Sequence, residues 1–184
     1  MAFNKAIDIN PKSADAWNGK GIALDNSGKH DEAIQAYDLA ITIRPKFTIA
    51  WNNKGWALSG LGKKEEAIQA FDKAISIDPK DPSSWNCKGN ALIDLGKHDE
   101  AAKAYEKAIE LDPKDPVTWY NKGAAFYGLK KYEDALCNFN KALEIDPKEA
   151  LIWHSKGKAL KALNRTEESD SAFAKAKELG NKEE

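Results

Sequence analysis

Residue types able to do chemistry are few in this chain. Three histidines, His30, His98 and His154, and two cysteines, Cys87 and Cys137, are candidate ligands or nucleophiles. The acid pairs Asp31-Glu32, Glu65-Glu66, Asp99-Glu100, Glu133-Asp134 and Glu167-Glu168 could serve in general acid–base work. Spacing argues against that use, because the pairs recur every 34 residues. A catalytic constellation should occur once, whereas a residue that returns at a fixed phase has a structural task, here at a helix N-terminus where acids are favoured. His30 and His98 share one phase, a turn site, and His154 has no second His or Cys at metal spacing beside it. The cysteines lack CxxC spacing, so neither a metal site nor a disulfide framework is indicated, and a reducing compartment suits them. No phosphate-cradling glycine loop, nucleophile elbow or HExxH is present. Asn164-Arg165-Thr166 matches a glycosylation sequon, a short pattern that chance supplies. The expectation is a protein that is not an enzyme and holds no cofactor and no metal.

The elements that carry these residues belong to a soluble globular balance, 42% hydrophobic and 31% charged over 184 residues. With 28 basic against 29 acidic residues, no global field draws the chain to nucleic acid or an anionic membrane. Partner choice must come from local surface. No apolar run approaches the roughly 18 residues of a membrane span. "MAFNKAIDIN" lacks the basic-then-apolar order of a signal peptide, so a cytoplasmic protein with no membrane contact is expected.

Trp17, Trp51, Trp85, Trp119 and Trp153 are 34 residues apart, and Gly21, Gly55, Gly89, Gly123 and Gly157 follow each by 4. Pro11, Pro45, Pro79, Pro113 and Pro147 keep the same step. Such a period marks a stacked array. Numbering each unit so that its Trp stands at position 4 gives units 14–47, 48–81, 82–115, 116–149 and 150–183, preceded by a partial repeat, 1–13. Within the second unit "AWNNKGWALSGLG" has apolar residues at helical spacing and stops at Gly62. "KKEEAIQAFDKAISIDP" restarts with acids, runs Ala67, Ile68, Phe71, Ala74 and Ile75 along one stripe, and ends at Asp78-Pro79. These are helix A and helix B. Burying the repeated Trp would contribute up to about 5 kcal/mol. The mid-helix glycine, worth about 1 kcal/mol less than alanine in a helix, is expected to let the two helices approach. Each pair leaves an apolar stripe that only a neighbour can cover, so the units must stack as one continuous domain.

Tryptophan at position 4, glycine at 8, a large apolar residue at 11, alanine at 20 and 27, an aromatic at 24 and proline at 32 form a pattern that resembles the tetratricopeptide repeat (TPR), with a prokaryotic look. One departure is regular: Lys20, Lys54, Lys88, Lys122 and Lys156 occupy position 7, where the family usually has leucine. The resemblance implies an all-α, right-handed superhelical solenoid of antiparallel helix pairs. It implies too that helices A line a concave face that binds extended peptides or partner helices, chiefly through positions 2, 5, 6, 9, 12 and 13. Carried onto this chain, that face holds Asn52, Asn53, Asn86, Asn90 and Asn121, whose amides can bond a peptide backbone, beside Trp56, Tyr120, Tyr127, His154 and Lys158. Trp56 lies off the packing phase and is a candidate anchor with the tyrosines. The competing reading packs it sideways against a neighbouring helix A. The lysines and arginine of the family's carboxylate clamp for chaperone C-termini are missing at positions 2, 5 and 6. The face changes sign from Asp15 and Asp25 to Lys158 and Lys161.

Two lysine series, at position 7 and at position 33 (Lys12, Lys46, Lys80, Lys114, Lys148), could track a nucleic-acid backbone. Aspartates and glutamates flank the second series and lysine stems can bury in the first, so nucleic acid is not the expected partner. Unit five replaces the usual residues with Ser169, Asp170, Lys177 and Asn181, and Asp170 and Lys177 lie two turns apart on one face of helix B, a polar surface suited to a C-terminal cap. At the other end "FNKAIDINP" opens halfway through a helix B, as in a longer parent array. Its Phe3, Ile7 and Ile9 either mediate self-association, giving a homo-oligomer, or lie frayed on unit one. The sequence thus points to an interaction scaffold with an unidentified protein or peptide ligand. Its alternative is a structural array working through its N-terminal end.

Overall fold

The computed structural model describes residues 2–180, and these are all-α, with eleven helices among them. They are α1 (Ala2–Ile9), α2 (Ala14–Asp25), α3 (His30–Ile43), α4 (Thr48–Gly60), α5 (Lys64–Ile77) and α6 (Pro82–Asp94), followed by α7 (His98–Leu111), α8 (Pro116–Gly128), α9 (Tyr132–Ile145), α10 (Ala150–Ala162) and α11 (Thr166–Glu178). Helices A are the even-numbered ones and helices B the odd-numbered ones from α3. They form two compact units, one running to Leu95 and the other starting at Gly96.

In the first unit α2 packs on α3 and α4 on α5 as antiparallel hairpins, α3 then meets α4, and α5 meets α6. Helices A also touch in series, α2 with α4 and α4 with α6, so they make the crowded layer. The second unit repeats the plan: α8 pairs with α9 and α10 with α11, while α7 leads into α8 and α9 into α10.

Local chemistry sets the ends. Asp81 and Asp115 accept hydrogen bonds from the amides of Ser83 and Ser84, and of Val117 and Thr118, with Pro82 and Pro116 following them at the first helical position. Ser13 caps α2 by accepting from the Ala16 amide. After helix A the chain turns through a left-handed residue, Gly62 in the second repeat at φ 75°, and the same place is taken by Lys130 and Asn164 in later repeats.

The core differs from the expected one in its aromatic. Tyr37, Phe71, Tyr105 and Phe139 at position 24 are at most 1% exposed, whereas the five repeat tryptophans are only half-buried. Each of those indoles instead ties one repeat to the turn before it. Trp17, Trp51, Trp85, Trp119 and Trp153 donate from Nε1 to the carbonyls of Pro11, Pro45, Pro79, Pro113 and Pro147, at 2.9 to 3.3 Å. The polar tip of the ring needs an acceptor, so it stays at the edge while the ring body packs.

The position-7 lysines have a related task. Lys54, Lys88 and Lys122 reach back to Asp38, Asp72 and Glu106 of the preceding helix B, and Lys20, Lys54, Lys88 and Lys156 lie over their own repeat's indole at 4.9 to 6.0 Å. Ser169 is buried, and its hydroxyl donates to the Gly157 carbonyl at 3.0 Å. Asp170 and Lys177 are exposed, and Asn181 lies outside the described residues. At the other end α1 rests on α2 with the Phe3 ring over Gly19, while Ile9 remains 86% exposed.

Candidate interaction surface

Among the described residues no group of three His, Cys, Asp or Glu side chains could hold a metal ion, and no helix is long and apolar enough to cross a membrane. His30 stacks over Gly60 and its Nδ1 lies 2.6 Å from Asp25. His98 sits likewise over Gly128. The shared phase of these two histidines is thus a packing phase, in which an imidazole of one helix B fills the space left by a glycine of the next helix A.

The first unit contains a cleft of about 710 Å3 on its helix-A side. Its floor and walls come from α4 and α6: Asn52, Asn53 and Trp56 from the first, Ser83 and Cys87 from the second. Its rim comes from Arg44, Lys46 and Phe47 before α4, from Thr48 and Ile49 in the first turn of α4, and from Asp78 and Asp81 before α6. Trp56 is 42% exposed and Ile49 59%. The inner edge of Trp56 meets the Phe71 ring at 5.7 Å and 72°, so one side of the indole is anchored in the core and the other is offered to the cleft. Burial pushes the Cys87 thiol up to about 11, against the opposing hydrogen bond with Trp56.

Two of the asparagines, Asn52 and Asn53, are clips between repeats. Asn52 is 9% exposed; its amide donates to Ser84 Oγ at 2.8 Å, and that hydroxyl donates on to Asp81 Oδ2 at 2.6 Å. Asn53 donates to Asn18 of the preceding repeat at 3.0 Å. Asn86, Asn90 and Asn121 are half-buried and each is already engaged.

In the second unit Tyr120 packs on Phe139 at 5.8 Å, and His154 packs on Phe173 at 5.2 Å. Tyr127 leans on Tyr132 at 5.3 Å and is 36% exposed, while Lys158 is exposed. Trp56, Tyr120 and His154 therefore each pack on the aromatic of position 24, Trp56 and His154 edge-to-face and Tyr120 tilted, and Trp56 and Tyr127 keep the most free ring surface of the candidate residues.

Two contributors to the cleft, Arg44 and Phe47, escaped the sequence reading, and both break the repeat. Arg44 stands at position 31 where later units have Asp78, Asp112 and Asp146, and Phe47 at position 34 where they have Asp81, Asp115 and Glu149. Arg44 lies over the Phe47 ring at 4.4 Å and grips Asp15 through both Nη atoms, at 3.1 and 2.6 Å. That grip holds the Asp15 carboxyl below the usual range. Asp15 and Asp25, the acids of the expected charge gradient, are thus each paired within the first repeat.

Antiparallel helix pairs of equal length, clipped at fixed phases, define a helical-repeat protein. The family model described as "Tetratricopeptide repeat" matches residues 14–47, 48–81 and 116–149. Two further models with that description match 70–103 and 150–182, and one described as "TPR repeat" matches 89–130. The chain belongs to the tetratricopeptide repeat family. Among solved structures it is similar to MamA from Desulfovibrio magneticus RS-1, at 22% identity and TM-score 0.82 over 90% of this chain and 94% of that one. It is also similar to YrrB, described as a TPR protein with an unusual peptide-binding site, at 22% identity and TM-score 0.76 over 98% and 93%. At that identity the likeness concerns the fold. No curated protein sequence matches.

Proposed function

We propose that the chain is a protein-interaction scaffold that takes a peptide or partner helix on its helices A, with Trp56 as the anchor in the first unit and Tyr127 as the anchor in the second. The observation that carries this reading is Trp56. It breaks the repeat's packing phase, and 42% of it stays exposed on the wall of a cleft in company with Ile49. A half-exposed Trp on a firm base is the usual chemistry of an interface hot spot. The asparagines hold that wall in register by bonding one helix A to the next. The description of YrrB as peptide-binding agrees with the assignment. In the second unit Tyr120, Asn121, His154 and Lys158 are carried on helices A, α8 and α10.

A capture experiment from a cell lysate compares the wild type with the Trp56→Ala/Tyr127→Ala variant, bound proteins being identified by mass spectrometry. A partner held only by the wild type supports the reading, and identical profiles contradict it. A second reading, self-association through the N-terminal end, is favoured by one feature: Ile9 is 86% exposed and Phe3 42%. Replacing Ile7 and Ile9 with aspartate would then abolish self-association and leave capture intact.

A further inference from the structure

We propose that Lys156 is a site of covalent modification, an amine that takes an acyl group from an acyl phosphate. It belongs to the position-7 lysine series, whose five members are all half-buried, so exposure does not separate them. Their partners do. Lys54, Lys88 and Lys122 each meet a carboxylate of the preceding helix B, at 2.6, 2.7 and 3.4 Å. Asp38, Asp72 and Glu106 supply it from position 25, and at that position α9 carries Asn140 instead. Among the described residues Lys156 has no carboxylate within ion-pair distance, and the acid acting on it from α11, Glu168, is held by Arg165 through two bonds of 2.7 and 2.6 Å. Lys20 also lacks an acid, with Asn4 at the matching place. Its neighbour on that side is the short α1, whereas Lys156 stands between the full-length α9 and α11.

Taking an ammonium out of water without a counter-charge favours the neutral amine. Burial accordingly lowers the Lys156 ammonium from the usual lysine range, against the pull of Glu168 and with the help of Arg165. The Trp153 ring lies 4.9 Å from Nζ and holds the amine in place. Lys20, Lys54 and Lys88 share such a contact, so it does not offset the difference within the series. In the reaction the Nζ lone pair attacks the acyl carbonyl carbon and forms the N–C bond. The bond from that carbon to the phosphate oxygen breaks, phosphate leaves with the electron pair, and the amine proton passes to water. Nothing is oxidised or reduced. The product is a neutral amide, which ends the contact with the indole. That indole clips α10 to the Pro147 carbonyl, so the modification bears on a joint between repeats.

The test exposes the full chain to acetyl phosphate at pH 7 and follows each lysine by mass spectrometry. The wild type is compared with Asn140→Asp and Arg165→Gln, each checked for folding by circular dichroism. Lys156 should acetylate at least about threefold faster than Lys54, Lys88 and Lys122. Asn140→Asp supplies the acid missing from the series and Arg165→Gln releases Glu168, so each should remove most of that lead. The lead should also shrink as pH approaches the ordinary lysine value of 10.5, where amines lose their protons without help from burial. Equal rates across the four lysines overturn the proposal. So does a lead that both variants and high pH leave unchanged, which reports easier access rather than a free amine.

Discussion

The ring of Phe71 occupies the space that a side chain on Gly55 would need: an added Cβ would lie 2.5 Å from its Cε1. The relationship recurs between Gly21 and Tyr37, Gly123 and Phe139, and Gly157 and Phe173. Helix propensity alone favours Gly55→Ala by about 1 kcal/mol. Because Phe71 is 0% exposed and has nowhere to retreat, overpacking of about 1–3 kcal/mol should win. Urea unfolding followed by circular dichroism should show Gly55→Ala less stable than wild type and Gly55→Leu less stable again.

A second prediction concerns the indole clips. Trp119→Phe keeps most of the ring but removes the donor that meets the Pro113 carbonyl at 3.0 Å. Pro113 is exposed, so water can replace the indole, and the loss should stay near 0.5–1.5 kcal/mol. Thermal unfolding should register a small fall in midpoint.

The asparagine network should matter more. Asn52→Ala takes the amide donor from Ser84, 0% exposed, whose hydroxyl keeps only its bond to Asp81. An expected loss of about 1–3 kcal/mol follows from an unsatisfied buried partner. The same unfolding measurement checks it against Trp119→Phe.

Thiol chemistry offers a pH test. Cys137 is exposed, whereas Cys87 is half-buried with its thiol raised to about 11, so its thiolate is scarce across the neutral range. A disulfide reagent at pH 8 should label Cys137 quickly and Cys87 slowly. Labelling of Cys87 should accelerate as pH climbs toward 11 or when Trp56→Ala opens the site.

Much of the architecture was legible because a 34-residue period repeats every helix boundary five times. The glycines were rightly read as places of close approach, though the ring that approaches them was not named. The tryptophans misled in degree: a repeated Trp suggests a buried one, but its N–H demands an acceptor, and the Pro45 carbonyl that meets Trp51 belongs to the previous repeat. Side-chain pairs that cross repeats, such as Asn52 with Ser84 or Lys54 with Asp38, depend on how the repeats stack, which periodicity leaves open. Arg44 and Phe47 could have been found by the subtraction that singled out Trp56, since both break an otherwise regular phase.

The central claim, that the free face of Trp56 is an anchor for a protein ligand, is tested most directly by calorimetric titration of a captured partner segment into the wild type and Trp56→Ala. The account predicts at least about a tenfold loss of affinity in a variant that still folds, in keeping with a hot-spot tryptophan. Equal affinities would contradict it.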